Sequence, residues 1–401
     1  MKKSLRELAV VQYGRSPNDV RADDGNYPIY GSGGLVGYAA EQLFSQSGIV
    51  VARKGTLDKP SYVEDGYWVI DTAYAVLPQT GVFAKWLYYC LADFDLKKLN
   101  EATGVPSISR DYLYRIKFFT PKYEQQQKIA KILTTVDNLI DKTQALINKY
   151  SAIKQGMMAD LFTRGIDLSG TTASNPNYGQ LRPSVEDKPE LYKSSELGMT
   201  PKDWEVCHLS SIAEKITSGS RDWASHYADE GDLFVRISNL TREHINFRWK
   251  SVKYVNIGNG SEGERTRLEA GDILISITAD LGIIGVVPAT FGRAFINQHT
   301  ALIRLNKVVV NSRYLGHFLQ SYIGQYQFEK FNDTGAKAGL NLPTLGSLQC
   351  LLPSIVEQER FAVIIDQIDM QIAVFKGEVI KYQNQKKGLM QDLLTGKVRV
   401  N

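Results

Sequence analysis

The sequence predicts a mixed α/β (α+β) protein: two homologous globular domains separated by two long helices that pack as an antiparallel coiled coil, with pseudo-twofold symmetry. Residues 121–167 realign without a gap on residues 353–399, at a constant shift of 232 residues (353 − 121). Each copy carries a proline-free apolar seam, and the stretches that precede the copies resemble each other. A repeat that includes polar as well as apolar positions implies a duplicated architecture.

The helices follow from period. In the first copy Ile129, Leu133, Val136, Ile140, Thr143, Ile147, Tyr150, Lys154, Met157 and Leu161 keep the alternating three-four spacing of a heptad seam. The second copy places Phe361, Ile365, Ile368, Ile372, Phe375, Val379, Tyr382, Lys386, Leu389 and Leu393 at the same points. Pro121 and Pro353 mark the entries, since proline is tolerated only at a helix start. Each helix runs for roughly 40 residues, or about 60 Å, against an average of about 11 residues in globular proteins. A stripe that long needs a partner helix, and the other copy supplies it. Lys154 and Lys386 break the seam at equivalent positions, either to set register or as ammonium groups snorkelling from a local defect. Gly156 and Gly388 fit close helix approach or a kink equally well.

The globular stretches share short signatures. Leu5–Ala9 leading to Gly14 parallels Leu209–Ala213 leading to Gly219; Gly48-Ile49-Val50-Val51 parallels Gly271-Asp272-Ile273-Leu274; and Gly66–Asp71 parallels Gly292–Asn297. Thr103-Gly104 and Thr334-Gly335 precede Pro121 and Pro353 in the same way. The resulting division is a first domain over 1–120, a central helix over 121–168, a Ser/Thr/Asn/Pro/Gly-rich loop or linker over 169–202, a second domain over 203–352 and a C-terminal helix over 353–401.

Composition is that of an ordinary globular protein, 43% hydrophobic and 22% charged, with a net charge of +4 that permits nucleic acid without demanding it. No apolar run approaches a bilayer span and no export signal is visible, so a cytoplasmic protein is expected. Cys90, Cys207 and Cys350 are far apart in sequence and lack zinc or redox spacing, which suits buried thiols in a reducing compartment. The five histidines, His208, His226, His244, His299 and His317, show no metal-ligand spacing. Tyr30-Gly31-Ser32-Gly33-Gly34 lacks the strand-loop-helix frame of a nucleotide loop. Asn175-Pro176-Asn177-Tyr178 approximates an amino-methyltransferase loop but lacks its second proline. With no Walker loop, no metalloprotease helix and no recognisable nuclease cluster, the chain is expected to be no enzyme.

The order of globule, proline, Gln-rich helix start and long helix ending in Gly-Met-Met-Ala-Asp-Leu-Phe-Thr, then a second cycle ending in Gly-Leu-Met-Gln-Asp-Leu-Leu-Thr-Gly, resembles the specificity subunit of Type I restriction-modification systems. Local matches are the helix entries 121–130 and 353–362, Tyr27-Pro28-Ile29-Tyr30-Gly31-Ser32, Thr103-Gly104-Val105-Pro106-Ser107 and Gly198-Met199-Thr200-Pro201-Lys202-Asp203-Trp204. The resemblance covers essentially the whole chain. It implies that each globule is a target recognition domain reading one half of an asymmetric, bipartite duplex target. The helices would set the spacer and dock two methyltransferase subunits, with two restriction subunits as further partners. No cofactor is expected in this chain, and S-adenosylmethionine, ATP and Mg belong to partner subunits. A scaffold or recognition module of another restriction-methylation or defence complex is the alternative.

Arginine and lysine in Gly/Ser-containing loops hold phosphates or pair with guanine, while Asn and Gln suit adenine. On that basis the candidate DNA contacts are Arg15, Tyr30, Ser32, Arg53, Lys54, Lys59 and Arg110 in the first domain. In the second they are Ser220, Arg221, Arg236, Asn239, Arg242, Asn297, His299 and Lys337.

Overall fold

Both long helices form where the seam predicts them, Tyr123–Arg164 (42 residues) and Ile355–Leu393 (39 residues). The computed structural model describes residues 1–221, 223–257, 262–332 and 339–400. The chain divides into one unit of Met1–Leu146 with Phe375–Asn401 and another of Ile147–Val374. Each unit thus owns the first half of one long helix and the last half of the other, and within each unit the two halves share a core. In the first unit Ile129, Ala130 and Leu133 pack with Met390, Leu393 and Leu394; in the second Phe361, Ala362 and Ile365 pack with Met158, Leu161 and Phe162.

The seam is buried at Ile129, Leu133, Val136, Ile147, Lys154, Phe361 and Ile365, and half-buried at Ile140, Tyr150, Ile368, Ile372, Val379, Tyr382 and Lys386. Towards the helix ends the buried position moves from Met157 to Met158 and from Leu389 to Met390. A straight helix drifts about 20° per heptad against a strict seven-residue repeat, which accounts for that shift. The repeated polar residues have specific partners. Gln126 and Gln358 are each 1% exposed. Their Oε1 atoms accept the Phe83 and Asn311 amides, both at 2.8 Å, and fasten each helix start to its globule. The two seam lysines are paired rather than snorkelled: Lys386 with Asp137 at 2.6 Å, and Lys154 with Asp369 at 2.7 Å. Gly156 and Gly388 need no close helix approach, because a Cβ at either would meet nothing within 4 Å.

In the first unit an antiparallel sheet runs in the order Ala9–Tyr13, Ala73–Pro78, Gly48–Ala52, Ser61–Val63. A smaller sheet of Gly34–Ala39, Tyr27–Gly31 and Trp68–Val69 has its last pair parallel. The second unit repeats this plan with Ala213–Ser218, Thr300–Leu305, Ile273–Ser276 and Ile284–Val286, and with Asp232–Val235 parallel to Ala294–Ile296. Its register places Ser276 opposite Thr300 as Ala52 lies opposite Ala73. Gly48 therefore corresponds to Asp272, one residue off the sequence alignment. Asp272 is 1% exposed and held by Arg304 at 2.8 Å. Cys90 and Cys350 are buried, and burial pushes both thiols up.

The segment expected as a loop or linker over 169–202 is tied down. It carries the antiparallel hairpin Tyr192–Ser195 with Gly198–Pro201. Arg182 within it forms an ion pair at 2.8 Å with Glu357, whose carboxylate also accepts the Ile166 amide at 2.7 Å and the Trp204 indole at 3.1 Å.

Candidate nucleic-acid interfaces

In the first unit backbone hydrogen bonds gather separate loops at one end of the main sheet. The Gly14 amide donates to Ala73 O at 3.2 Å and the Arg15 amide to Val69 O at 2.8 Å. The Arg53 and Lys54 amides share Thr72 O at 2.9 and 3.0 Å. The Gly55 amide donates to Pro106 O at 2.8 Å and the Ile108 amide to Arg53 O at 2.9 Å. Glycine is required at position 14, where a Cβ would lie 2.1 Å from Ile70 O.

This frame brings together most of the residues singled out in the first domain. The guanidinium carbons of Arg53 and Arg110 lie 5.3 and 5.1 Å from the centroid of the Tyr13 ring, itself 47% exposed. Two arginines against one tyrosine ring form a cationic aromatic surface suited to phosphates and base edges. Arg15 and Lys54 are exposed on the loops that carry it. Ser32, at the tip after Tyr27–Gly31, lies close enough that a Cβ on Gly55 would meet its hydroxyl at 3.1 Å. Tyr30 is half-buried, and burial, then the neighbouring Tyr38, raise its phenol above the usual range. Lys59 is exposed beside Asp58, which pairs with Lys97. Among the described residues nothing joins Lys59 to the Tyr13 group.

The second unit uses the same frame with other side chains. The Gly219 amide donates to Thr300 O at 3.1 Å, the Ile277 amide to His299 O at 3.0 Å and the Leu340 amide to Ile277 O at 2.9 Å. A Cβ on Gly219 would lie 2.2 Å from Asn297 O. Around these bonds opens a cleft of about 680 Å³ whose lining includes the expected Ser220, Arg221 and His299. Asn297 flanks it, its Oδ1 accepting the His299 amide at 3.3 Å. The cleft also includes Arg265, Thr278 and Gln298, which sequence reasoning missed. His299 Nδ1 lies 2.9 Å from Thr278 Oγ1 and its Nε2 lies 3.1 Å from the Gln298 amide nitrogen. That pattern is satisfied by a neutral ring protonated on Nδ1. Arg265 donates to Thr217 Oγ1 and to Ser218 O, which holds its guanidinium at the cleft.

Three residues expected to touch DNA make hydrogen bonds within the second unit. Asn239 is 5% exposed, and its side chain links the Arg236 amide to Arg248 O, both at 3.1 Å. Arg236 spends a guanidinium nitrogen on Ser251 O at 2.9 Å. Arg242 is bound to Gln325 Oε1 and Leu281 O, both at 2.7 Å, and to the Asp280 carboxylate. Lys337 lies outside the described residues.

The comparisons agree with this architecture. The Type I restriction modification DNA specificity domain matches residues 1–150 and again 201–381. The Type I restriction enzyme MjaVIII specificity subunit of Methanocaldococcus jannaschii is 27% identical over 321 residues, covering 79% of this chain and 70% of the relative. The S subunit of a Type I restriction-modification system from M. genitalium superposes with a TM-score of 0.66 at 14% identity, covering 98% of this chain and 96% of that one. A chain from a structure described as the basis of complex assembly and conformational transition of the type I R-M system gives a TM-score of 0.53 at 14% identity, covering 99% and 98%. Two matches to one domain family, together spanning most of the sequence, settle the relationship: this chain belongs to the family of Type I restriction-modification specificity subunits.

Proposed function

We propose that each globular domain reads one half of an asymmetric, bipartite duplex DNA target through the loops around Gly14 and Gly219. The observation that carries this reading is that one backbone frame recurs with unlike side chains. Arg53 and Arg110 lie against Tyr13 in one unit, with Arg15 and Lys54 exposed on the adjoining loops, while Ser220, Thr278, Gln298 and His299 line the cleft of the other. A shared frame with divergent polar tips is what two readers of different sequences require. Arg15, Tyr30, Ser32, Arg53, Lys54 and Arg110 remain the contacts proposed for the first half-site. Ser220, Arg221, Asn297 and His299, now joined by Arg265, Thr278 and Gln298, are those for the second.

The long helices set the unread spacer and dock methyltransferase subunits, and methyl transfer, ATP use and cleavage belong to partner subunits in the cytoplasm. Inserting seven residues after Tyr150 tests the spacer: the gap in the methylated motif should lengthen while both half-sites stay the same. An unchanged gap refutes the helices as ruler. Methyl transfer by the purified chain alone would refute the non-catalytic assignment.

A further inference from the structure

Given that the loops around Gly14 and Gly219 read DNA, we infer that the corner residues of two equivalent turns, Asp71 and Gln298, each select one base in the major groove, cytosine for Asp71 and adenine for Gln298. Residues 70–73 form one turn, closed by the Ala73 amide donating to Ile70 O at 3.1 Å. Residues 297–300 form the other, closed by the Thr300 amide donating to Asn297 O at 3.1 Å. Each turn joins the parallel strand of a smaller sheet, Trp68–Val69 or Ala294–Ile296, to an inner strand of the main sheet, Ala73–Pro78 or Thr300–Leu305. Both turns are held by the same neighbours. The Gly14 and Gly219 amides donate to Ala73 O and Thr300 O, and the Arg53 and Ile277 amides donate to Thr72 O and His299 O. These matching bonds make Asp71 the counterpart of Gln298, whereas alignment by residue type pairs Asp71 with Asn297.

Cations accompany each corner, but the corner residue itself is not one. Asp71 is exposed on the surface that carries Arg15, Arg53 and Lys54. Gln298 lines the cleft of about 680 Å³ together with Arg221 and Arg265. Arginine and lysine suit the phosphates that position a duplex, which leaves the corners to specify bases. Arg53 Nη1 donates to the backbone oxygen of Asp71 at 3.1 Å, and among the described residues the Asp71 carboxylate has no partner of its own. A carboxylate only accepts, and phosphate repels it, so the DNA group that it can bind is a donor on a base edge.

The major-groove edges then decide which base. Guanine presents the acceptors N7 and O6, and thymine the acceptor O4 beside a methyl group. Adenine sets its N7 acceptor next to its N6 amine, where a carboxylate would be repelled. Cytosine alone offers an amine, N4, with no acceptor beside it on the same base, and so it is the partner for Asp71. Gln298 differs in carrying both a donor and an acceptor. Its Nε2 lies 3.1 Å from His299 Nε2, and His299 Nδ1 lies 2.9 Å from Thr278 Oγ1. That chain anchors the amide through one N–H and leaves its Oε1 and second N–H, the pair that adenine meets with its N6 amine and N7.

The test exchanges the chemistry at each corner without changing its shape, using the full chain with its methyltransferase subunit and methylome sequencing. Asp71→Asn should admit adenine at one position where the wild type demands cytosine, in one half-site only. Gln298→Glu should admit cytosine at one position where the wild type demands adenine, in the other half-site only. Titration of the assembled complexes with duplexes differing at those positions should show discrimination against the new base falling by at least about tenfold. A motif left unchanged by either variant, or changed at a base other than the one assigned, overturns the assignment for that residue. Should a variant lose its thermal transition, Asp71→Ala or Gln298→Ala takes its place and should relax the same position. Arg53→Ala keeps the two levels apart. If it relaxes the first half-site and Asp71→Asn does not, the base assignment falls and the loops remain readers; if neither alters the motif, both fall.

Discussion

The Lys386 ammonium lies 2.6 Å from the Asp137 carboxylate, and 232 residues separate these two from the counterparts Lys154 and Asp369, which meet at 2.7 Å (386 − 154 = 369 − 137 = 232). The duplicated sequence thus yields a reciprocal pair of locks between the long helices, one in each unit. Their surroundings differ, since the Lys154 pair is 9% and 5% exposed and the Lys386 pair 25% and 26%. Removing one partner of a buried pair leaves an uncompensated charge. Lys154→Met should therefore cost about 3–5 kcal/mol, and Lys386→Met only about 1 kcal/mol. Urea unfolding of both variants checks this, and equal losses would contradict it.

Gly14→Ala and Gly219→Ala force a Cβ to within 2.1 and 2.2 Å of carbonyl oxygens. Each should lower stability by about 1–3 kcal/mol and abolish reading of one half-site. Gly33→Ala is the control, because nothing lies within 4 Å of its Cβ. Calorimetry with DNA-binding assays on the assembled complex separates the three, and a tolerant Gly14→Ala would discredit the loop frame.

Arg53→Ala and Arg110→Ala strip the cations from Tyr13. A base reader lost here should cost about 1–3 kcal/mol of binding and relax a position in one half-site only, whereas a phosphate contact should weaken all sequences alike and flatten the salt dependence. Affinity titrations across salt concentrations distinguish the two roles. No change in either variant removes this surface from the interface.

Asn239→Ala should behave oppositely. Its side chain joins Arg236 to Arg248 within a turn, so its loss should cost about 1–3 kcal/mol of stability and leave the recognised sequence unchanged. A relaxed motif without destabilisation would return Asn239 to the readers.

The helices were legible because seam spacing is local. Gln126, Asp137 and Lys154 recur with their partners, and repetition of polar residues announces specific contacts even when the partner is unknown. The globules were legible as a pair but not in register. Gly48 aligns with Gly271 by residue type, whereas the ladder equates it with Asp272, because a buried aspartate held by Arg304 fills a glycine's place. Among the proposed contacts, Arg53 and Arg110 follow from charge in Gly/Ser loops. That rule also selected Arg236 and Arg242, which the fold engages with local carbonyls and carboxylates, and it passed over Arg265, which only the fold brings beside Thr217 at the cleft. Residue type signals capacity for a contact, while the neighbours that the fold supplies are not written in the local sequence.

The most direct measurement is methylome sequencing of a strain carrying this chain with its methyltransferase subunit, compared with the same strain carrying Gln298→Ala. The account predicts one asymmetric motif of two specified halves around an unspecified gap, with the variant relaxing one half and sparing the other. A continuous or palindromic motif, or a variant that degrades both halves together, would contradict it.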